Sequence, residues 1–387
     1  MMIVTSPVGL RSGFMPQIYR APHTDAGGRS VAATQLRGNE LAFQQLRDRW
    51  PLVPGTQNAV IIEDRSTALA SRPVNIAIFD WDETVSKIKC GWNLAMIRYV
   101  AKLWAMDKNT NPALAWEQDI EPTDADKVFS ERFVRNTTGT ITQVQYATAI
   151  YLQQFRRAGI GGFNEADFDR PLKNILVKSE LDFTHPSPDQ PWNAEYGAKL
   201  WELGGGMYAE WKNIMRAEFR DRRLVELRDG IAAPEQYLVG NVIPFLNAIS
   251  SKGIPMYALS GSEQSEVEED ANALTAGHFF RTIYGVNGTL ERLTGGETVY
   301  SKYNGSNHIL EIENVSGSDI ERAMWLGDGP SEIKIGKTFG GLRVGLVPAH
   351  AEDPTALAET LIENGAQYLI LEDFKDWAIL VPYFFGK

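Results

Sequence analysis

The stretch "NIAIFDWDET", residues 75–84, decides how the rest of the chain is read. With Val74 it forms a short apolar run rich in β-branched residues, the pattern of a strand buried on both faces. That run drives straight into Asp80 and Asp82, with only Trp81 between them. Two carboxylates crowded at a strand end repel one another, and the pair is tolerated only where something compensates the charge. In open α/β sheets the carboxyl ends of the strands are where ligands bind. The first expectation is therefore a site, with Asp80 and Asp82 at its floor.

Working outward, the grammar after Pro234 is an alternation of short apolar strands and helices. A helix over 236–251 leads to strand "IPMYALS", and a helix over about 264–275 leads to strand "RTIYG". Helix "NHILEIENV", strand "AMWLG", a helix around 331–338, strand "RVGLV", helix "PTALAETLIENG" and strand "QYLIL" follow. Strands alternating with helices predict an α/β fold, a doubly wound parallel sheet with helices on both faces, and the strand at 74–79 is its first. Between that strand and its continuation the strand signals nearly vanish. "NLAMIRYVAKLWA" (93–105) places Leu94, Ile97, Val100 and Trp104 at helical spacing. A turn at Gly139 precedes a helix capped by Thr142, "HPSPDQPW" (185–192) reads as a loop, and 207–230 reads as a long helix ended by Gly230. The expected division is a partly irregular extension over 1–72, an α/β core over 73–92 and 236–387, and an inserted all-helical unit over 93–235. Within the extension, one helix near 33–50 and a short strand at "NAVIIED" (58–64) are expected, and the first thirty residues show no period.

Composition excludes several classes of function. The formal net charge of −11 disfavours a nucleic-acid partner, which would need clustered Lys and Arg to neutralise phosphates. A single cysteine, Cys90, excludes an intrachain disulfide, and five scattered histidines offer no paired zinc ligands. No apolar run is long enough to span a bilayer and the first residues lack the apolar core of a secretory signal, so no membrane partner and a cytoplasmic location are expected. "GGLRVG" and "GIGGF" lack the Gly-Lys-Ser/Thr that completes a nucleotide-binding loop. The acidic run "EQSEVEED" (263–270) reads as a solvated helix face, Cys90 as a packed residue, and Trp92, Trp104, Trp116, Trp192, Trp201 and Trp211 chiefly as core of the helical block.

Four predicted strand ends carry polar groups suited to one chemistry: Asp80-Trp81-Asp82-Glu83-Thr84, Ser260-Gly261-Ser262, Lys302 ahead of the helix containing His308, and Asp328 with Glu332. Asp80, Asp328 and Glu332 make an oxygen-rich set for Mg²⁺, a hard cation that prefers carboxylates. One carboxylate can attack phosphorus, a second two residues on can act as general acid and base, and Ser260, adjacent N–H groups and Lys302 can neutralise phosphate oxygens.

This constellation resembles the haloacid dehalogenase (HAD) superfamily of phosphatases over about 71–92 and 236–387. "DWDET" matches its DxDxT motif, and by that resemblance Asp80 is the nucleophile and Asp82 the acid/base, with the Asp82 backbone carbonyl a further metal ligand. The resemblance likewise assigns Ser260 and Gly261 to phosphate binding and Lys302 to steadying nucleophile and phosphate. Asp328 and Glu332 match the acidic fourth motif, with Glu where Asp is commoner. It implies a Rossmann-like core with a C1-type helical cap, Mg²⁺ as cofactor, an aspartyl-phosphate intermediate and a small phosphorylated substrate such as a sugar phosphate or biosynthetic intermediate. A phosphomutase would use the same residues, and a non-enzymatic binding protein on this fold would be expected to have lost one of them. A dehalogenase usually lacks the second aspartate. The sequence assigns no oligomeric state.

Overall fold

A computed structural model describes residues 31–106, 111–137, 142–157, 194–294, 301–351 and 353–386. Seven strands form one sheet: β1 (Ala59–Ile61), β2 (Ile76–Asp80), β3 (Met256–Glu263), β4 (Thr282–Val286), β5 (Ala323–Gly327), β6 (Leu342–Pro348) and β7 (Tyr368–Glu372). Their spatial order is β1-β7-β6-β5-β2-β3-β4, which puts β2 between β5 and β3. Every pairing is parallel except β1 with β7.

Both faces of the sheet are covered, which is why β2 and β5 read as unbroken apolar runs. Along β2 the side chains alternate: Ala77 and Phe79 enter a core with Phe245, Met324 and Phe374, while Ile76 and Ile78 enter another with Tyr257, Leu259 and Trp325. Register fixes the strand ends: Asp80 stands opposite Leu259 of β3, and Phe79 opposite Leu326 of β5. Residues that follow Leu259 and Leu326 therefore emerge beside Asp80 at the carboxyl edge.

Between β2 and β3 the described residues of 92–237 contain helices and no strand. Helices Trp92–Ala105, Asp124–Thr137, Thr142–Arg157 and Ala194–Met215 pack around a core of their own that includes Tyr99, Phe133, Tyr146, Ile150 and Trp211. Trp104 and Trp211 are buried there and Trp92 and Trp116 pack against them, as expected of core tryptophans. The long helix is not uniform. One wider turn of π-helix at Arg216–Arg220 interrupts it before Asp221–Arg228, and Gly230, at φ +68°, lies just past its end. The turn expected at Gly139, the loop at 185–192, the side chains of Trp192 and Trp201, and the first thirty residues lie outside the described set.

The sheet differs from the sequence expectation at its edge. The strand at 74–79 is not the first, because Ala59–Ile61 pairs antiparallel with β7. The helix Val31–Arg49 also packs on the sheet, burying Phe43 and Leu46 among Val347, Leu361 and Leu369. Asn39 donates to the Ala351 carbonyl at 2.8 Å, and Arg47 pairs with Glu372 at 2.8 Å. Residues from 39 onward are thus built into the core's packing, which a three-residue strand and a polar-rich helix do not advertise. A C-terminal helix, Trp377–Phe385, was also absent from the sequence reading, since its continuous apolar run with an internal proline has no amphipathic period.

If the first helix is part of this core, Leu46→Ala should lower unfolding stability by about 2–5 kcal/mol in urea titration, the range for truncating a buried leucine. A loss below about 0.5 kcal/mol, typical of surface positions, would show that the helix does not hold the sheet.

Candidate active site

Asp80 closes β2 in a buried position, and its side chain accepts from the Trp81 N–H at 2.7 Å. That N–H also reaches the Leu259 carbonyl of β3, at 3.1 Å. The chain then folds back tightly: Val85 and Ser86 both donate to the Trp81 carbonyl, and Glu83 adopts a left-handed conformation at φ +59°. This turn aims consecutive side chains at different partners. Thr84, buried, donates to Asp328 Oδ1 at 2.9 Å and accepts from the Asp328 N–H at 3.0 Å. Asp82 Oδ2 accepts from Ser260 at 2.7 Å and from Ser262 at 3.1 Å.

Lys302 opens the helix Lys302–Ile312, which begins five residues earlier than its apolar pattern suggests, behind the N-cap Ser301. Its ammonium lies 2.8 Å from Asp80 Oδ1 and 2.6 Å from Glu332 Oε1, bridging two buried carboxylates. Glu332 sits in the first turn of the helix Pro330–Phe339, where the helix dipole favours negative charge. Gly327 makes room for it: a Cβ there would lie 2.8 Å from Glu332 Cγ.

The structure thus gathers Asp80, Asp82, Ser260, Lys302, Asp328 and Glu332 at one edge of the sheet. Gly261 follows Ser260 within the extended end of β3, with open space where a Cβ would stand. The Ser260 hydroxyl is engaged by Asp82 and accepts from the Ser262 N–H at 3.0 Å, so contact with a phosphate would require it to turn.

Charge is the dominant feature. Burial, then Glu332, push the Asp80 carboxyl well above its usual range, against the pull of Lys302. Burial, then Glu83 and Glu332, push Asp328 up to about 7. Glu332 Oε2 is buried with no hydrogen-bond partner. Such a set of acceptor oxygens suits a hard divalent cation, and Mg²⁺ fits the donor chemistry. The carboxylates expected to hold it are not drawn to coordination spacing, however: no three of Asp80, Asp82, Asp328 and Glu332 bring one oxygen each within 4.8 Å of the others. The Lys302 ammonium stands between two of them instead.

A second buried network was missed by the sequence reading, and it corrects one expectation. Glu266 and Asp270 of the acidic run are not on a solvated face; both are buried against Lys89. Their spacing of four residues places them on one side of the helix Gln264–Ala273, a signal consistent with a shared partner, but nothing local identifies that partner as Lys89. The Lys89 ammonium lies 2.5 Å from Ser262 Oγ and 4.0 Å from Asp82 Oδ1, so the network reaches the site. Arg220, in the π-helical turn, lies 2.9 Å from Asp270, and Lys212 lies 3.7 Å from Glu266, tying the helical block to the sheet. Burial would raise the Glu266 carboxyl, yet Lys89 and Lys212 hold it below the usual range. Burial pushes Asp270 up to about 6 even against Lys89 and Arg220. Elsewhere, a groove of 910 Å³ lined by Ile243, Phe279, Trp377 and Val381 together with Glu235, Lys252 and His278 carries none of the candidate residues.

No protein-family model matches the chain, and no curated protein matches it. Solved structures resemble it distantly. One is a protein provisionally assigned as a phosphoglycolate phosphatase from Lactobacillus delbrueckii subsp. bulgaricus, at 11% identity over 81% of this chain and 100% of that one, with a TM-score of 0.46. A haloacid dehalogenase-like family hydrolase from Streptococcus pneumoniae is 15% identical over 80% and 98%, with a TM-score of 0.41. A HAD family hydrolase from Deinococcus radiodurans, solved with phosphate and sodium, is 16% identical over 81% and 97%, with a TM-score of 0.36. Likenesses this remote do not carry a function. No helix among the described residues is long and apolar enough to cross a membrane.

Lys89→Met would leave Glu266 and Asp270 short of their shared buried cation, at a cost of about 3–5 kcal/mol. A carboxylate whose folded-state pKa is raised binds its proton more tightly when folded, so its contribution to stability falls as pH rises through that value. Asp270 should therefore take a proton in the variant. The loss, read by urea unfolding, should be larger at about pH 8 than at about pH 5. A loss equal at both would place the cost outside Asp270.

Proposed function

We propose that the protein is a HAD-type phosphatase that hydrolyses a small phosphate monoester with the help of Mg²⁺. The observation that carries this reading is the Asp80–Lys302–Glu332 bridge beside the Thr84–Asp328 and Ser260–Asp82 pairs, all on one sheet edge. Asp80, Asp328 and Glu332, with the Asp82 backbone carbonyl, are the groups proposed to hold the ion. Bound there, Mg²⁺ would supply positive charge against the phosphate oxygens.

An Asp80 carboxylate oxygen attacks phosphorus while the ester P–O bond breaks, leaving an aspartyl-phosphate. Asp82 gives its proton to the departing oxygen. It then takes a proton from water, which attacks the phosphorus of the intermediate and releases inorganic phosphate and Asp80. Lys302 stabilises Asp80 as an anion and faces the charge that develops on the phosphate. The hydroxyls of Ser260 and Ser262 orient Asp82 before substrate arrives. The helical block over 93–235 is proposed to act as a cap that excludes water and selects the leaving group. A small-molecule substrate is the one such a cover would admit.

Phosphate release over a panel of sugar phosphates and other small phosphate esters, with and without Mg²⁺, tests the reading. Turnover on at least one member should vanish in chelator and return with Mg²⁺. Full activity in chelator would remove the ion from the mechanism, and transfer of phosphate to a second sugar carbon without release would make the protein a mutase.

The two aspartates should separate kinetically. Asp80→Asn should abolish turnover on every ester. Asp82→Asn should cost about 10²–10⁴-fold on alkyl esters, whose leaving group needs a proton. On p-nitrophenyl phosphate it should give a burst near one equivalent in rapid-quench measurements and then stall, because the intermediate lacks its base. Unchanged steady turnover on both ester types would exclude Asp82 as the acid/base.

A further inference from the structure

We infer that Glu83, Cys90 and His350 form a second metal site, one suited to a borderline-soft divalent ion such as Zn²⁺ rather than to Mg²⁺. The three come from two segments of the chain: Glu83 and Cys90 from the loop after β2, and His350 from the turn after β6. Among the described residues they are the only set of three such side chains that brings one donor atom each within 4.8 Å of the others. All three are half-buried, so the site is reachable from solvent.

Geometry and donor chemistry agree. Glu83 Oε2 lies 3.6 Å from His350 Nε2. Donors bound tetrahedrally at Zn–N, Zn–O and Zn–S bond lengths sit roughly 3.3–3.8 Å apart. The Glu83–His350 contact is an ion pair, and Cys90 and Glu83 both favour the protonated imidazole, so a metal ion would take the place of the proton that now lies among the three donors. Glu83 sits in the tight turn after β2 with a left-handed backbone at φ +59°. Thiolate and imidazole ligands favour zinc over magnesium, and three protein ligands leave a fourth position open. An ion here would fasten the turn that carries Asp82 and Thr84 to the loop after β6.

Because Cys90 is the chain's single cysteine, thiol chemistry reports on this site alone. Full-length protein freed of metal by chelator and dialysis would be titrated with Co²⁺ and followed in the near ultraviolet, where a thiolate–cobalt bond absorbs strongly. One equivalent should bind with that band, and Zn²⁺ should displace it. Zn²⁺ should also protect Cys90 from a thiol reagent and raise the melting temperature. Cys90→Ser should abolish the band, and His350→Gln should weaken binding at least about tenfold, the lower end of what loss of even an outer-shell partner costs. Asp80→Asn should leave the band intact, which separates this site from the proposed phosphatase centre whatever the fate of that proposal. Circular dichroism confirms that each variant is folded, and thiol protection in the unmutated protein needs no variant. Absence of the band, its persistence in Cys90→Ser, its loss in Asp80→Asn, or failure of Zn²⁺ to protect Cys90 would each overturn the assignment.

Discussion

The Lys302 ammonium, held between Asp80 and Glu332, is the interaction on which the sheet edge depends. Removing a carboxylate from water costs several kcal/mol after relaxation, and here three of them, Asp80, Asp328 and Glu332, are buried near one another. Burial first, and the neighbouring carboxylates second, raise the proton affinity of Asp80 and Asp328. A cation must be supplied by the chain or from outside, and among the described residues Lys302 is the one that pairs with Asp80 and Glu332. The helix that carries it is itself anchored, because Trp325 of β5 donates to Ser306 at 3.1 Å. The lysine's position thus follows from packing against the central strands.

The loop from Trp81 to Gly91 distributes this electrostatic problem among three neighbours. Thr84 locks onto Asp328, Asp82 onto the serines that end β3, and Lys89 onto the buried acids of the following helix. Lys89 in turn shares those acids with Arg220 and Lys212 of the helical block. The proposed cap and the proposed acid/base are therefore linked through buried charges rather than through apolar packing alone. Charged contacts of this kind are sensitive to geometry, since losing one partner leaves the other uncompensated. A shift of the helical block would be felt at Ser262 and, through it, at Asp82.

The sequence by itself determined the alternating strands and helices, the insertion after β2 and the identity of the carboxylates at the strand ends. These are legible because a buried parallel strand must be continuously apolar, and a polar break at its end then stands out. It gave Asp80, Asp82, Ser260, Lys302, Asp328 and Glu332, since each lies near a recognisable element boundary. Only the tertiary structure decided that Ser260 faces Asp82, that Lys302 bridges two acids, and that β1 and the first helix belong to the sheet. Lys89, Arg220, Glu266 and Asp270 were invisible for one reason: a buried charge is recognised by its partner, and those partners lie far away in sequence. The acidic run 263–270 shows the limit most clearly. Its composition is that of a solvated face, and only the approach of Lys89 and Arg220 makes burying Glu266 and Asp270 affordable.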